Sequence, residues 1–182
     1  KAWGNIGSIR NKGFELEVTT QNLTGKLKWS TSLNVSYNQN KVLSLGDDNS
    51  TVFTGYDSTT QVFMVGQPLR SFYMYDAVGV YQTQADLQKY PVMQNTKVGD
   101  VRYRDANGDG IISDSDRTLM GKPDPDYTFG ITNTFKYKNF DLSVLVTAQT
   151  GGHIYGVLGR AMDRPGMGAN GNVLSHWKNM WK

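Results

Sequence analysis

The sequence has no cysteine, only 5 prolines among its 182 residues, and no long apolar run. Without cysteine, a disulfide framework and a thiolate metal site are both excluded. No apolar stretch approaches the roughly 18 residues that a transmembrane helix needs, so the chain cannot cross a membrane in helical form. Basic residues exceed acidic ones by only 19 to 16. Because lysine and arginine are scattered, no nucleic-acid partner is predicted.

The residues that are abundant favour β-structure. The chain contains 20 glycines and 12% aromatic residues, which is typical of a β-rich protein with many turns. Hydrophobic residues make up only 38%. This low content is compatible with a transmembrane β-barrel, because barrel strands alternate lipid-facing apolar residues with polar residues that face the lumen.

Two segments alternate apolar and polar residues with the period of a β-strand, and each contains a short turn. The first covers about residues 10–37, with turn residues at 21–25, and the second covers about residues 127–150. Their apolar faces are formed by Phe14, Leu16, Val18, Leu27, Trp29, Thr31, Leu33, Val35 and Tyr37, and by Phe129, Ile131, Asn133, Phe135, Tyr137, Phe140, Leu142, Val144, Val146 and Ala148. The opposite faces are small and polar, and include Ser30, Ser32, Asn34, Ser36, Thr132 and Thr134. This pattern predicts two long hairpins in a barrel wall, with the polar faces lining the lumen.

Between the hairpins lie about residues 38–126, far more than an ordinary connection. Short turns at one end and long loops at the other are typical of outer-membrane barrels, whose turns are periplasmic and whose loops are extracellular. Residues 38–126 are therefore predicted to be an extracellular excursion. Within it, 71–82 and 101–104 could form either a transmembrane pair or an extracellular hairpin. Residues 151–182 are predicted to form a glycine-rich loop and a short C-terminal helix.

One motif in the excursion has the spacing of a metal site. Residues 105–116 match the twelve-residue calcium loop, with side-chain oxygens at positions 1, 3 and 5 and Gly110 at the turn. The predicted ligands of a structural Ca2+ ion are Asp105, Asn107, Asp109, the carbonyl of Ile111, Ser113 directly or through water, and Asp116. Ile112 is the buried apolar residue that the motif expects. The alternative is an acidic turn that needs no ion. Because residues 101–104 look extended and no long amphipathic helix flanks the loop, a sensor role is not predicted.

The sequence resembles the later barrel region of SusC/RagA-type TonB-dependent outer-membrane transporters. The matching stretches cover most of residues 5–150 in order and spacing, and they are 11–15, 29–42, 66–68, 72–73, 79–82, 99–110, 116–117, 121–125 and 137–143. The resemblance implies a plugged barrel of about 22 strands in the outer membrane of a Gram-negative bacterium. It also implies import of oligosaccharides or peptides, energy from the TonB complex and a SusD-like surface lipoprotein as partner.

The expected fold is thus all-β, a fragment of an antiparallel transmembrane β-barrel. At about 10 residues per strand, 22 strands need more than about 200 residues before any loop. The chain is therefore expected to be part of a longer polypeptide, with the plug and the final strands outside it. No pairing of nucleophile and base, and no opposed carboxylates, point to an enzyme. The alternative from another class is a secreted, calcium-stabilised β-sandwich that binds carbohydrate.

Overall fold

The computed structural model describes residues 7–55 and 60–156. The chain divides into two compact units, one made of Lys1–Phe72 and Gly121–His153 and the other of Tyr73–Met120 and Ile154–Lys182. In the described part, no helix has both the length and the apolar character needed to cross a membrane. The helix predicted near the C-terminus, including residues 173–181, lies outside the described residues.

Ten strands and two short helical turns make up the described structure. The strands are β1 (Gly7–Thr24), β2 (Leu27–Leu45), β3 (Val52–Thr54), β4 (Gln61–Phe63), β5 (Ser71–Tyr75), β6 (Ala77–Val80), β7 (Val101–Tyr103), β8 (Arg117–Leu119), β9 (Tyr127–Tyr137) and β10 (Phe140–Thr150). The helix α1 (Gln84–Lys89) precedes β7, and a 3-10 turn (Asp114–Asp116) precedes β8. The four long strands belong to the first unit, and α1, β6, β7 and β8 belong to the second.

The long strands form one antiparallel sheet in the order β1-β2-β9-β10. In its central pair, Leu27 lies opposite Tyr137 and Tyr37 lies opposite Tyr127. Side chains alternate between the two faces of a strand, so this register puts the apolar residues of β2 and β9 on the same face. The pairings of β1 with β2 and of β9 with β10 extend that apolar face over all four strands.

Three boundaries differ from the sequence prediction. β2 continues to Leu45 instead of ending near Tyr37, β1 begins at Gly7, and the first turn is Gly25–Lys26 instead of 21–25. Apolar alternation stops at Tyr37, but the main-chain ladder with β1 continues to the pair Gly7 and Leu45. The ladder needs no apolar side chains, so the strand extends through a polar stretch that a hydrophobicity pattern does not detect.

The excursion leaves and re-enters the sheet at the same end. Because β2 and β9 are antiparallel neighbours, the chain between them begins and ends on one side of the sheet. β5, β6 and β7 have only 5, 4 and 3 residues, whereas a membrane-crossing strand needs about 9–11. Each of these strands is therefore shorter than a membrane-crossing strand, and β6 and β7 form a short antiparallel pair.

Gly13 allows β1 and β2 to approach closely, and this makes a prediction. A Cβ at Gly13 would overlap the carbonyl oxygen of Tyr37, whereas a Cβ at Gly25 would meet no atom within 4 Å. We expect Gly13→Ala to lower the free energy of unfolding by about 1–3 kcal/mol, as overpacking does. The matched control Gly25→Ala should change it by less than about 0.5 kcal/mol. Urea unfolding of the detergent-solubilised protein would measure both values, and equal stabilities would contradict the close approach.

Candidate functional site

The polar face of the four-stranded sheet is the first candidate site. All six residues predicted to face the lumen share this face, and cross-strand pairs such as Ser32 with Thr132 and Ser30 with Thr134 run along it. At its centre the side-chain amide of Asn34 lies over Gly130, where an added Cβ would lie 2.7 Å from the amide oxygen. The face thus presents hydroxyl and amide groups with little bulk, and these groups can form hydrogen bonds with water or a polar solute.

A cavity lies at the end of this face remote from the turns. Its volume is about 550 Å³, and its polar lining includes Asn11, Asn38, Asn40, Asp124 and Asp126. Three of these side chains have structural partners. Asn40 accepts a hydrogen bond from the backbone N–H of Leu69 at 2.6 Å and donates one to Asp124 at 3.3 Å, and Asp126 accepts one from the ammonium group of Lys122 at 2.5 Å. Asn11 and Asn38 therefore remain as the amides best placed to bind a solute.

The opposite face of the sheet is apolar and exposed. Phe140, Leu142 and Leu16 are 79%, 58% and 51% exposed. Exposed apolar surface that extends over four strands exceeds what a soluble monomer normally carries. Lipid is the environment that such a face fits.

Aromatic side chains border the apolar face at both ends. Near the turns, Trp29 stacks on Phe135 with ring centroids 5.7 Å apart. At the other end, Tyr37 contacts Phe14 at 5.8 Å and Tyr127 at 4.8 Å. The ten residue steps from Tyr127 to Tyr137 rise about 3.3 Å each. At a tilt of about 40°, they span about 25 Å, the height of an outer-membrane apolar band.

The aromatic residues next to the turns lie at the ends of predicted strands and are visible in the sequence pattern, and we call each such border an aromatic girdle. The second girdle was missed because Phe14, Tyr37 and Tyr127 are far apart in the sequence, and only the strand register brings them together. The available signal was that Phe14, Tyr37 and Tyr127 each lie the same number of residues from the nearest turn.

The acidic loop 105–116 is the second candidate site and belongs to the second unit. The carboxylate of Asp105 accepts hydrogen bonds from the backbone N–H groups of Gly108 at 2.6 Å and Gly110 at 2.8 Å. Asp109 accepts one from the N–H of Ile111 at 2.8 Å and one from the side chain of Asn107 at 2.9 Å. Each of these carboxylate oxygens has one donor, which leaves a lone pair on each for a cation.

Asp116, at position 12 of the loop, is fully buried. One of its oxygens accepts from the N–H groups of Ala106 at 2.9 Å and Asn107 at 3.4 Å, and the other accepts from the N–H of Ser113 at 2.7 Å and its hydroxyl at 3.4 Å. The Ser113 backbone bond holds the pKa of Asp116 below its ordinary value, against the opposing effect of burial. With four donors engaged, Asp116 would have to give up a hydrogen bond in order to ligate an ion directly.

Other contacts fix the loop within its unit. Ile112 is 4% exposed, as the motif expects, and its N–H donates to the carbonyl of Val92 at 3.2 Å. Asp114 accepts from the hydroxyl of Tyr75 at 2.8 Å and pairs with Arg117 at 2.9 Å. In the described part of the chain, no three His, Cys, Asp or Glu side chains converge in a ready-made metal site. The predicted ligands are thus close in the chain but bonded mainly to the loop's own backbone.

Comparison with known proteins agrees with this geometry. No family model matches the chain. The chain is 37% identical over 161 residues to TonB-dependent receptor P3 of Formosa agariphila and 30% identical over 161 residues to TonB-dependent receptor SusC of Bacteroides thetaiotaomicron. These matches cover 82% and 83% of the chain but only 16% and 15% of the two relatives.

The similarity extends to solved structures. The RagAB peptide importer in its "open-open" state matches with a TM-score of 0.60 at 19% identity, over 80% of this chain and 15% of that one. Its "closed-closed" state matches with a TM-score of 0.56 at 20% identity, over 81% of this chain and 16% of that one. At this level of identity, the similarity concerns the fold.

A two-faced antiparallel sheet with an aromatic girdle at each end defines the wall of an outer-membrane β-barrel. The chain belongs to the SusC/RagA-type TonB-dependent receptors, which are outer-membrane proteins of Gram-negative bacteria. The resemblance and the barrel fold predicted from the sequence are therefore confirmed, and the secreted β-sandwich loses its support. The relatives are receptors and transporters, not enzymes.

Two neighbouring residues in the middle of β9 test the assignment of the faces. Ile131 lies on the apolar face and Thr132 on the polar face. We expect Ile131→Lys to destabilise the barrel in phospholipid vesicles by about 2–4 kcal/mol, the cost of a lysine at the bilayer midplane. Thr132→Lys is the matched control and should cost less than about 1 kcal/mol. Urea unfolding in vesicles measures both, and the opposite ranking would reverse the two faces.

Proposed function

We propose that this chain forms part of the barrel wall of a transporter that imports oligosaccharides or peptides across the outer membrane. The observation that carries the proposal is the sheet with one lipid-type face and one polar face. A wall of this kind separates a wet lumen from lipid, and the cavity beside Asn11 and Asn38 offers amide groups to a passing solute. The chain acts as a scaffold and has no catalytic step of its own.

The transporter would use two partners. Family membership supports coupling to the TonB complex for energy and pairing with a SusD-like lipoprotein at the cell surface. The SusC relative is named a TonB-dependent receptor and the RagAB structure is described as a peptide importer. Because this chain spans only 15% of the SusC relative, both partners are proposed for the whole transporter and not for this segment alone.

Uptake by living cells tests the transport proposal. We expect deletion of the full-length receptor to abolish uptake of at least one labelled oligosaccharide or peptide from a panel. Replacing Asn11 and Asn38 together by leucine should reduce the affinity for that cargo about tenfold, since each lost hydrogen bond costs about 0.5–1.5 kcal/mol. Val146→Leu on the apolar face is the control and should leave uptake unchanged. Normal uptake of the whole panel in the deletion strain would refute the proposal.

For the acidic loop, we propose a structural Ca2+ ion. The ligands that agree best with the calcium-loop motif are Asp105, Asn107, Asp109 and the carbonyl of Ile111. Ser113 and Asp116 complete the set. Free lone pairs on Asp105 and Asp109 support this set, and hard oxygen donors at alternating positions suit calcium. Because the carboxylate of Asp116 already accepts hydrogen bonds from the loop, we expect position 12 to contact the ion through a water molecule.

Thermal unfolding with and without a chelator tests the calcium site. We expect calcium to raise the unfolding temperature of the excursion, and Asp105→Ala combined with Asp109→Ala to abolish that increase, because both charged ligands are lost. Asp114→Asn is the control, because it removes a charge at a loop position that the motif does not use for ligation. An unfolding temperature that is the same with calcium and with chelator would rule out the ion.

A further inference from the structure

The turn end of the four-stranded sheet is strongly basic. Its charged residues are Lys26, Lys28, Lys136, Lys138 and Asp141. Residues 38–126, between the two hairpins in the sequence, contain 12 acidic and 8 basic side chains. Among the described residues, none of the four lysines takes part in a salt bridge. Lys138 Nζ lies 5.4 Å from the centroid of the Tyr137 ring. The basic turn end, defined here by these four lysines, therefore carries positive charge that no carboxylate of the described residues pairs with.

Two of these lysines lie at the membrane edge. Leu27 pairs with Tyr137, so the residues that flank this pair, Lys26 and Lys138, belong to two adjacent turns. Lys28 and Lys136 lie opposite each other on the polar face and add to the positive potential within a Debye length. Two neighbouring lysines next to an aromatic girdle are suited to bind a phosphate at the surface of the bilayer.

A polar cluster on the apolar face lies just inside this edge. Asn133 accepts hydrogen bonds through its side-chain oxygen from the indole N–H of Trp29 at 3.0 Å and the hydroxyl of Thr31 at 2.7 Å. Because an indole N–H can only donate, the amide oxygen must face Trp29 and the amide nitrogen must point away. That nitrogen has no hydrogen-bond partner among the described residues.

A donor without an acceptor is costly on a surface that contacts lipid. Asn133 lies one step further from the turns than Phe135 on the same face, and Phe135 marks the girdle. At this depth, the acceptors that a bilayer offers are the ester carbonyls of its phospholipids. The spare donor and the paired lysines thus match two groups of one lipid molecule, the ester and the phosphate.

We propose that the basic turn end binds an anionic phospholipid of the periplasmic leaflet. The phosphate lies between Lys26 and Lys138, an ester carbonyl accepts from Asn133, and an acyl chain follows the stacked rings of Trp29 and Phe135. A lipid with net negative charge is preferred to a zwitterionic one, because Asp141 is the one acidic residue that the described part of the turn end sets against the four lysines. The inference rests on the barrel wall of the proposed function and on the orientation predicted from the sequence, in which the turns are periplasmic.

Native mass spectrometry of the full-length receptor in neutral detergent tests this site. We expect titration with phosphatidylglycerol to give a lipid-bound receptor. Titration with phosphatidylethanolamine should give much less of the bound form. Lys26→Gln combined with Lys138→Gln should weaken phosphatidylglycerol binding about 25-fold, at about fivefold per lysine. Binding of phosphatidylethanolamine should weaken less, because its ammonium group offsets the charge of its phosphate. Lys89→Gln combined with Lys97→Gln is the control of equal charge change in the excursion and should have no effect.

A second variant separates the ester contact from the charge contact. Asn133→Leu should weaken the binding of both lipids to the same extent, because both carry ester carbonyls. Heat-modifiable migration on gels would verify that each variant is folded. The inference is overturned if the lysine variant binds each lipid as tightly as the wild type does. It is also overturned if a second receptor copy occupies this face in place of lipid. Normal cargo uptake by the lysine variant would leave the transport proposal intact in either case.

Discussion

The antiparallel pairing of β2 with β9 is the constraint on which the structure depends. Each pair from Leu27 and Tyr137 to Tyr37 and Tyr127 joins residues of the same face. Since side chains alternate, a slip of β2 by one residue would turn Ser30 and Ser32 toward lipid and the aromatic residues of β2 toward the lumen. The two girdles and the polar face all follow from this one register. So does the fact that the excursion leaves and re-enters the sheet at the same end.

The bulge in β1 shows how the register is kept where the sequence changes phase. The pairing shifts between Gln21 and Leu23, so that Asn22 is the extra residue and Leu23 lies opposite Trp29. Without the extra residue, Leu23 would point to the polar face. The amide of Asn22 hydrogen-bonds to the hydroxyls of Thr20 and Thr31, so the polar group that the bulge introduces is satisfied on the apolar side.

Local patterns predicted the hairpins and their faces, because each depends on alternation within one strand. Features that depend on distant residues were not predicted. The polar end of β2 is held by backbone bonds to β1, and the second girdle joins Phe14 to Tyr127 across three strands. The helix α1 was also missed, although Thr83 and Asp86 form a capping box there, because the helix has only 6 residues and buries none of them.

The residues of the calcium-loop motif fix the backbone of the acidic loop even without a bound ion. Asp105, Asn107, Asp109 and Asp116 all accept hydrogen bonds from the backbone of their own loop, and these bonds fix the turn without an ion. A loop that is already ordered loses little entropy when it binds, which favours affinity. The buried Asp116 supplies this order from within, and the exposed lone pairs of Asp105 and Asp109 are left for a cation. Asp105 and Asp109 thus both order the backbone and keep lone pairs for a cation, whereas Asp116 has all its hydrogen bonds within the loop.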